Sequence, residues 1–410
     1  MINVNIYNLS KANLLERAEQ FIFSTGLNDG ASKLCKLNMK YGIAQMHLIQ
    51  ERYGFAPKAF FISSPDETVS RNTYRWSSGY GYGGKINWGS GKDKLVFLNT
   101  KPNHCGILVG GLWKEPDPYE LIKNMNVVKS KELYLNDILI NWDFGKSNHF
   151  ISCYKAKMES DVKFPPYIFL IHGSAPEIRG DKYGVGIYID QSKNLHDIAI
   201  EEKTSLGKQY ILLDSDADDY LKLNMKALQF SNNKRELIAK ELFQDDYEII
   251  CNQPHQFLKD YNNIYLGCNC TDINNDIIKS DIFPIGLRAD LPAYLFKGYQ
   301  NLSLEVLNKL NFVKRAKDLE LLEELQHANI IPHGAGYCFP DVKDVIDVLE
   351  YQDQRYFVCE LKKGKNRLKI VRYVSDLQFE YRKNEIIQKT IKLDLGKLAA
   401  RLNPIFSLKA

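Results

Sequence analysis

The sequence predicts a single α+β domain with insertions, and three observations carry that prediction. Of its 410 residues, 44% are hydrophobic and 25% charged, ordinary globular values that exclude wholesale disorder. At roughly 150 residues per unit the length allows two or three folding units, but no internal repeat, low-complexity linker or clear boundary divides it. Short apolar runs bounded by turns fill the first half, and blocks with three- and four-residue apolar spacing stand before and after them.

Taken in order, Ala12–Phe23 and Ile43–Tyr53 are amphipathic, and Ala59–Ile62 reads as a short buried strand. The stretch Ser77–Lys92 (SSGYGYGGKINWGSGK) is too glycine-rich for a helix interior, and its tyrosines suit a loop over a binding surface. Strand-like runs follow at Leu95–Asn99, Ile107–Leu112, Phe150–Tyr154, Tyr167–Ile171, Val185–Ile189 and Tyr210–Leu213. Helical spacing then returns in Tyr220–Phe230 and Arg235–Phe243, and later in Leu304–Leu310, Ala316–His327 and Val342–Tyr351. A strand at Tyr356–Leu361 precedes a C-terminal tail, RLNPIFSLKA.

Fifty-four Lys and Arg against fifty Asp and Glu leave a net charge of +4, so bulk electrostatics cannot hold a nucleic acid here. An RNA or DNA site would have to be a local basic patch. The N-terminus lacks the apolar core of a signal peptide, and runs such as Tyr167–Ile171 fall far short of the ~20 residues that span a bilayer. Eight irregularly spaced cysteines read as reduced thiols. Together these features predict a cytoplasmic protein with no membrane partner.

Four of the eight histidines stand where a strand meets a loop: His149 in GKSNHF, His172 in LIHGSAP, His255 in NQPHQF and His333 in IIPHGAG. Ligands and nucleophiles commonly sit at such places on a rigid scaffold, although a histidine taken singly is more often a hydrogen-bonded structural residue. Cys105 in NHCGI precedes another strand and completes a thiolate-plus-imidazole set suited to a divalent transition metal, Zn or Fe by softness alone. Cys268 and Cys270 lack a matching second pair and read as free thiols. Around His333, Gly334 and Gly336 let backbone amides approach an anion, so this histidine could bind a phosphate or attack it.

In order along the chain, GYGYGG, NHCGILVGGL, NWDFGKSNHF, LIHGSAPEIRG, NQPHQF, FPIGLRADLPAYLFKG, IIPHGAG, EYRKNEII and NPIFSLKA resemble the motifs of the RtcB family of RNA ligases, the tRNA-splicing ligases. Each motif is short. Their common order over residues 79–410 carries the resemblance, and the first 75 residues match poorly.

The resemblance implies one RtcB-like domain over residues 1–410, with mixed and antiparallel sheets around a central metal cleft and a helical insertion at residues 215–247. It also implies joining of RNA 2′,3′-cyclic phosphate or 3′-phosphate ends to 5′-hydroxyl ends, with GTP and two Mn ions, by a monomer whose activating protein, if any, is unknown. Carried over residue by residue, His333 takes GMP as a phosphoramidate. Cys105, His149, His172 and His255 hold the metals, with Cys105 bridging. Asn148, Gly334, Ala335 and Gly336 contact the nucleotide phosphates, and Tyr381 and Lys409 line the guanine pocket.

The chain also departs from the family pattern. Pro102 replaces a metal aspartate, Ser152 a guanine-reading glutamate, Gln256 an asparagine, and Tyr337 and Asp341 two arginines, while LGCNCT at 266–271 has lost basic residues. Arg288, Lys297, Lys146 and Arg179 are the candidates to compensate. An alternative is therefore a relative that binds or nucleotidylates RNA 3′-phosphate ends without sealing them, or one that uses ATP.

Overall fold

The computed structural model describes residues 6–145, 148–244, 246–274, 277–363 and 367–409; Lys146, one of the compensating cations, lies outside them. Helices and sheets are mixed along the chain, as an α+β class requires. Two sheets organise the site. A seven-stranded antiparallel sheet runs in the order Tyr247–Pro254, Gly106–Leu112, Tyr167–Gly173, Phe150–Met158, Gly396–Leu408, Ala293–Gly298 and Ile282–Ile285. A five-stranded sheet runs Ile22–Phe23, Phe60–Val69, Gly81–Asn87, Asn263–Leu266 and Gln256–Asp260, parallel only in its first pair. The chain passes from one sheet to the other at His255, between Pro254 and Gln256.

The helix Lys11–Gln20 starts at Ser10, whose hydroxyl accepts from Asn13 N. The next helix runs from Gly30 to Arg52, well before the amphipathic stretch Ile43–Tyr53. Its first turns are buried on several faces, and a helix enclosed that way shows no single apolar stripe. Likewise the blocks Tyr220–Phe230 and Arg235–Phe243 form one helix, Asp214–Phe243, whereas Ala316–His327 is broken between Val313–Asp318 and Leu322–Gln326.

Four expectations are corrected. Val342–Tyr351 is a strand, paired with Gln354–Leu361. Register shifts between Val342 and Asp344 and between Val345 and Asp347 each insert a residue, and this turns a two-residue alternation into apparent helical spacing. Val185–Ile189 is no strand; Ile187 and Tyr188 bond locally to the carbonyls of Ile178 and Arg179. The glycine-rich stretch is largely the buried strand Gly81–Asn87, in which Gly83 (φ +81°) lets the backbone come against Asp66. Finally, RLNPIFSLKA is no tail: through residue 408 it belongs to an inner strand between Phe150–Met158 and Ala293–Gly298.

The long helix Asp214–Phe243 packs against the segments that carry His104, Gly173 and Asn252. Ser231 Oγ donates to His104 O (2.7 Å), and Arg235 donates to Gly173 O (3.1 Å) and Asn252 Oδ1 (2.8 Å). Lys234, fully buried, reaches Asp143 Oδ1 at 3.0 Å and Glu177 Oε1 at 2.8 Å. Removing only the cation would strand two buried carboxylates. Lys234→Ala is therefore expected to cost about 3–5 kcal/mol of stability, read as a lower urea midpoint at unchanged slope. A loss near zero would show that the carboxylates are satisfied without it.

Candidate active site

Strand pairing brings the five sequence-predicted residues together. Within the seven-stranded sheet His172 is the register partner of both Ile107 and Phe150, which places it beside Cys105 and His149. The amide of His255 donates to Cys105 O (3.0 Å), fixing the sheet crossover against the cysteine. As a result Cys105 Sγ lies 2.9 Å from His172 Nε2 and 3.7 Å from His149 Nε2, and His172 Nε2 lies 3.3 Å from His255 Nε2. His333 follows the strand Ile330–Pro332, and its ring centroid is 4.6 Å from that of His255.

Hydrogen bonds assign a tautomer to three of these rings. His172 Nδ1 donates to Asn148 O at 2.8 Å, so in the neutral ring Nε2 carries the lone pair that faces Cys105. His149 Nδ1 lies 2.8 Å from Asp143 Oδ2, which leaves its Nε2 to face the thiol. His333 Nδ1 lies 2.7 Å from Asp66 Oδ2, so its Nε2 is the free nitrogen. Two imidazole lone pairs and a sulfur converging in a buried space repel one another unless a cation or protons lie between them.

Cys105, His172 and His255 could hold a metal ion: their ligand atoms all lie within 4.8 Å of one another, and all three residues are buried. Burial alone would push the Cys105 thiol up, but its electrostatic interaction with the His172 and His255 rings and hydrogen bonds to His149 and His172 bring it well below the ordinary thiol range. The thiolate is the form that binds metal. Burial pulls His255 down to about 3, which keeps it neutral and able to ligate. His149 goes the other way, to about 9: burial opposes the rise, but hydrogen bonds to Asp143 and Cys105 overcome it.

Above the cluster opens a cavity of about 320 Å³. Cys105, Asn148, His172, His333, Gly334, Ala335, Gly336, Tyr381 and Lys409 line it; His149 and His255 lie just behind. Ser152, Gln256 and Tyr337 line it as well. Ser152 Oγ is 2.7 Å from Ser407 Oγ, and Gln256 bridges from Arg75 to Tyr82 OH. Among the compensating cations, Arg288 lines the cavity but is paired with Asp290, Lys297 is paired with Asp281, and Arg179 donates to Ser174. Cys268 and Cys270 are buried in the strand paired with Ile330–Pro332, and burial raises both thiols.

Sequence reasoning missed Asp66 and Asp143, the carboxylates that orient His333 and His149. Asp66 is fully buried in the strand Phe60–Val69, where a register shift between Ser63 and Thr68 turns it toward the loop after His333. Its Oδ2 also accepts from the amides of His333 (3.2 Å) and Gly334 (3.3 Å), and Ser64 Oγ donates to Oδ1. The available signal was an acidic pair, Asp66–Glu67, inside an otherwise uncharged strand-like run.

Compared with known proteins, the sequence matches no family model and no curated relative. No helix among the described residues is long and apolar enough to cross a membrane.

Proposed function

We propose that this chain is a divergent RtcB-type RNA ligase, joining a 3′-phosphate or 2′,3′-cyclic phosphate end to a 5′-hydroxyl end through a guanylylated His333. One observation above all supports this reading: a histidine anchored through Nδ1 to a buried carboxylate presents Nε2 in the same cavity as a thiolate–imidazole metal cluster. A structural histidine needs neither that orientation nor that neighbour.

The chemistry then follows from the residues. Cys105, His172 and His255 would hold one Mn ion, and Cys105 with His149 would contribute to holding a second. Bound there, the metal supplies positive charge that neutralises phosphates and aligns them for in-line displacement. His333 Nε2 attacks the α-phosphorus of GTP; the N–P bond forms, the bond to the bridging oxygen breaks and pyrophosphate leaves. Nδ1 keeps its proton, and Asp66 stabilises the cationic ring. An oxygen of the RNA 3′-phosphate then takes the guanylyl group and frees His333. A cyclic phosphate must first be hydrolysed to the 3′-phosphate. Last, the 5′-hydroxyl attacks the activated 3′-phosphorus, releasing GMP and giving its proton to solvent. Tyr381 and Lys409 would hold the base, and Asn148 with the amides of Ala335 and Gly336 the phosphates, the Gly334 amide being taken by Asp66. A cytoplasmic setting would keep Cys105 reduced.

The test is sealing of a 3′-phosphate RNA to a 5′-hydroxyl RNA with GTP and Mn²⁺, followed by gel. A joined product supports the reading. Because Pro102 offers no ligand atom, a second reading is transfer of GMP to the 3′-phosphate without sealing, which would give a capped 3′ end and no longer product.

Asp66→Asn separates positioning from fold. An asparagine amide donating to Nδ1 would force the proton onto Nε2 and block the nucleophile. The rate of nucleotide transfer at saturating GTP is expected to fall at least about 100-fold, with metal content unchanged. A wild-type rate would remove Asp66 from the mechanism.

A further inference from the structure

We propose that Arg71 recognises a phosphate group at the cavity mouth; the proposal rests on the ligase reading for the phosphate's source but not for the recognition itself. Among the described residues, the Lys and Arg side chains of the cavity wall are Arg71, Arg75, Arg288 and Lys409. Arg75 is buried and committed, donating to the carbonyls of Thr100 and Lys101 and to Gln256 Oε1. Arg288 is held in a two-point pair by Asp290. Lys409 already engages a group of the protein. Arg71, by contrast, has no carboxylate or carbonyl partner among the described residues.

It is nonetheless held in place. Its guanidinium carbon stands 4.3 Å from the ring centroid of Phe379 and 5.5 Å from that of Tyr337, and these two rings form a cluster with Tyr381. Contact with the rings leaves the guanidinium N–H groups without a protein acceptor among the described residues, and a planar guanidinium suits bidentate contact with phosphate oxygens.

The same segment controls the loop after His333. Asp66 binds the amides of His333 and Gly334, and Thr68 Oγ1 donates to Tyr337 O at 2.8 Å. Residues 66–71 thus tie both ends of the HGAGY loop and set the guanidinium beside it. A phosphate facing His333 and the Gly336 amide would meet Arg71 as its uncommitted countercharge.

The experiment uses full-length wild type, Arg71→Ala and Arg71→Lys with Mn²⁺. Binding is measured to inorganic tripolyphosphate, to GTP, and to one short RNA bearing either a 3′-phosphate or a 3′-hydroxyl. Arg71→Ala is expected to weaken tripolyphosphate binding roughly 10- to 100-fold, leaving the melting temperature and the 3′-hydroxyl RNA unaffected, with partial recovery in Arg71→Lys. A parallel loss with GTP assigns the contact to the nucleotide tail; one confined to the 3′-phosphate RNA assigns it to the RNA end. Wild-type affinity in Arg71→Ala for every probe, or no binding of any probe by wild type, overturns the proposal. If Arg71-dependent tripolyphosphate binding persists but no nucleotide adduct forms on His333, the ligase reading fails and the phosphate site stands.

Discussion

Replacing His333 by alanine is expected to abolish RNA sealing, a fall of about 10⁴-fold or more in single-turnover rate, because the proposed guanylyl acceptor is gone. Loss of folding would not be the cause. The ring is close to the cavity, and Asp66 would keep its bonds from the amides of residues 333 and 334 and from Ser64. Binding of a 3′-phosphate RNA should survive the substitution, since the metal cluster and Arg71 are untouched. Sealing by His333→Ala within tenfold of wild type would move the nucleophile elsewhere.

Cys105→Ala is expected to weaken metal binding by more than about 100-fold, the upper range seen on losing even an outer-shell partner. Cys105 contributes the sulfur of the three-residue group, and its removal leaves only the imidazoles of His172 and His255. Elemental analysis after dialysis should show the drop, and Cys105→Ser should retain part of the metal. His149→Ala should keep the ion held by the other three residues. Undiminished metal in Cys105→Ala would remove the thiolate from the site.

Much of the site was legible because its chemistry is rare and its positions are structural joints. Cysteine and histidine at strand ends are few in this sequence, which singled out Cys105, His149, His172, His255 and His333; that they lie together is visible only in the fold. Carboxylates are common, and nothing in the spacing of Asp66 or Asp143 separates them from surface acids; only the bulged strand and the buried Lys234 reveal their roles. Strand periodicity failed at Val342–Tyr351 because two bulges break the alternation on which it depends. The stretch Gly81–Asn87 misled for the opposite reason: its glycines serve close strand packing against Asp66 and Ile62, not freedom in a loop. Arg71 carried no signal at all, since its partners are rings more than 260 positions away.

The most direct test is the intact mass of the metal-loaded protein after incubation with GTP or, separately, ATP. The expected result is a gain of one guanylyl group with GTP, acid-labile as a phosphoramidate and missing in His333→Ala. A gain with ATP instead would keep the histidine chemistry and change the base. A metal-loaded protein whose mass is unchanged by either nucleotide would contradict nucleotide transfer through His333.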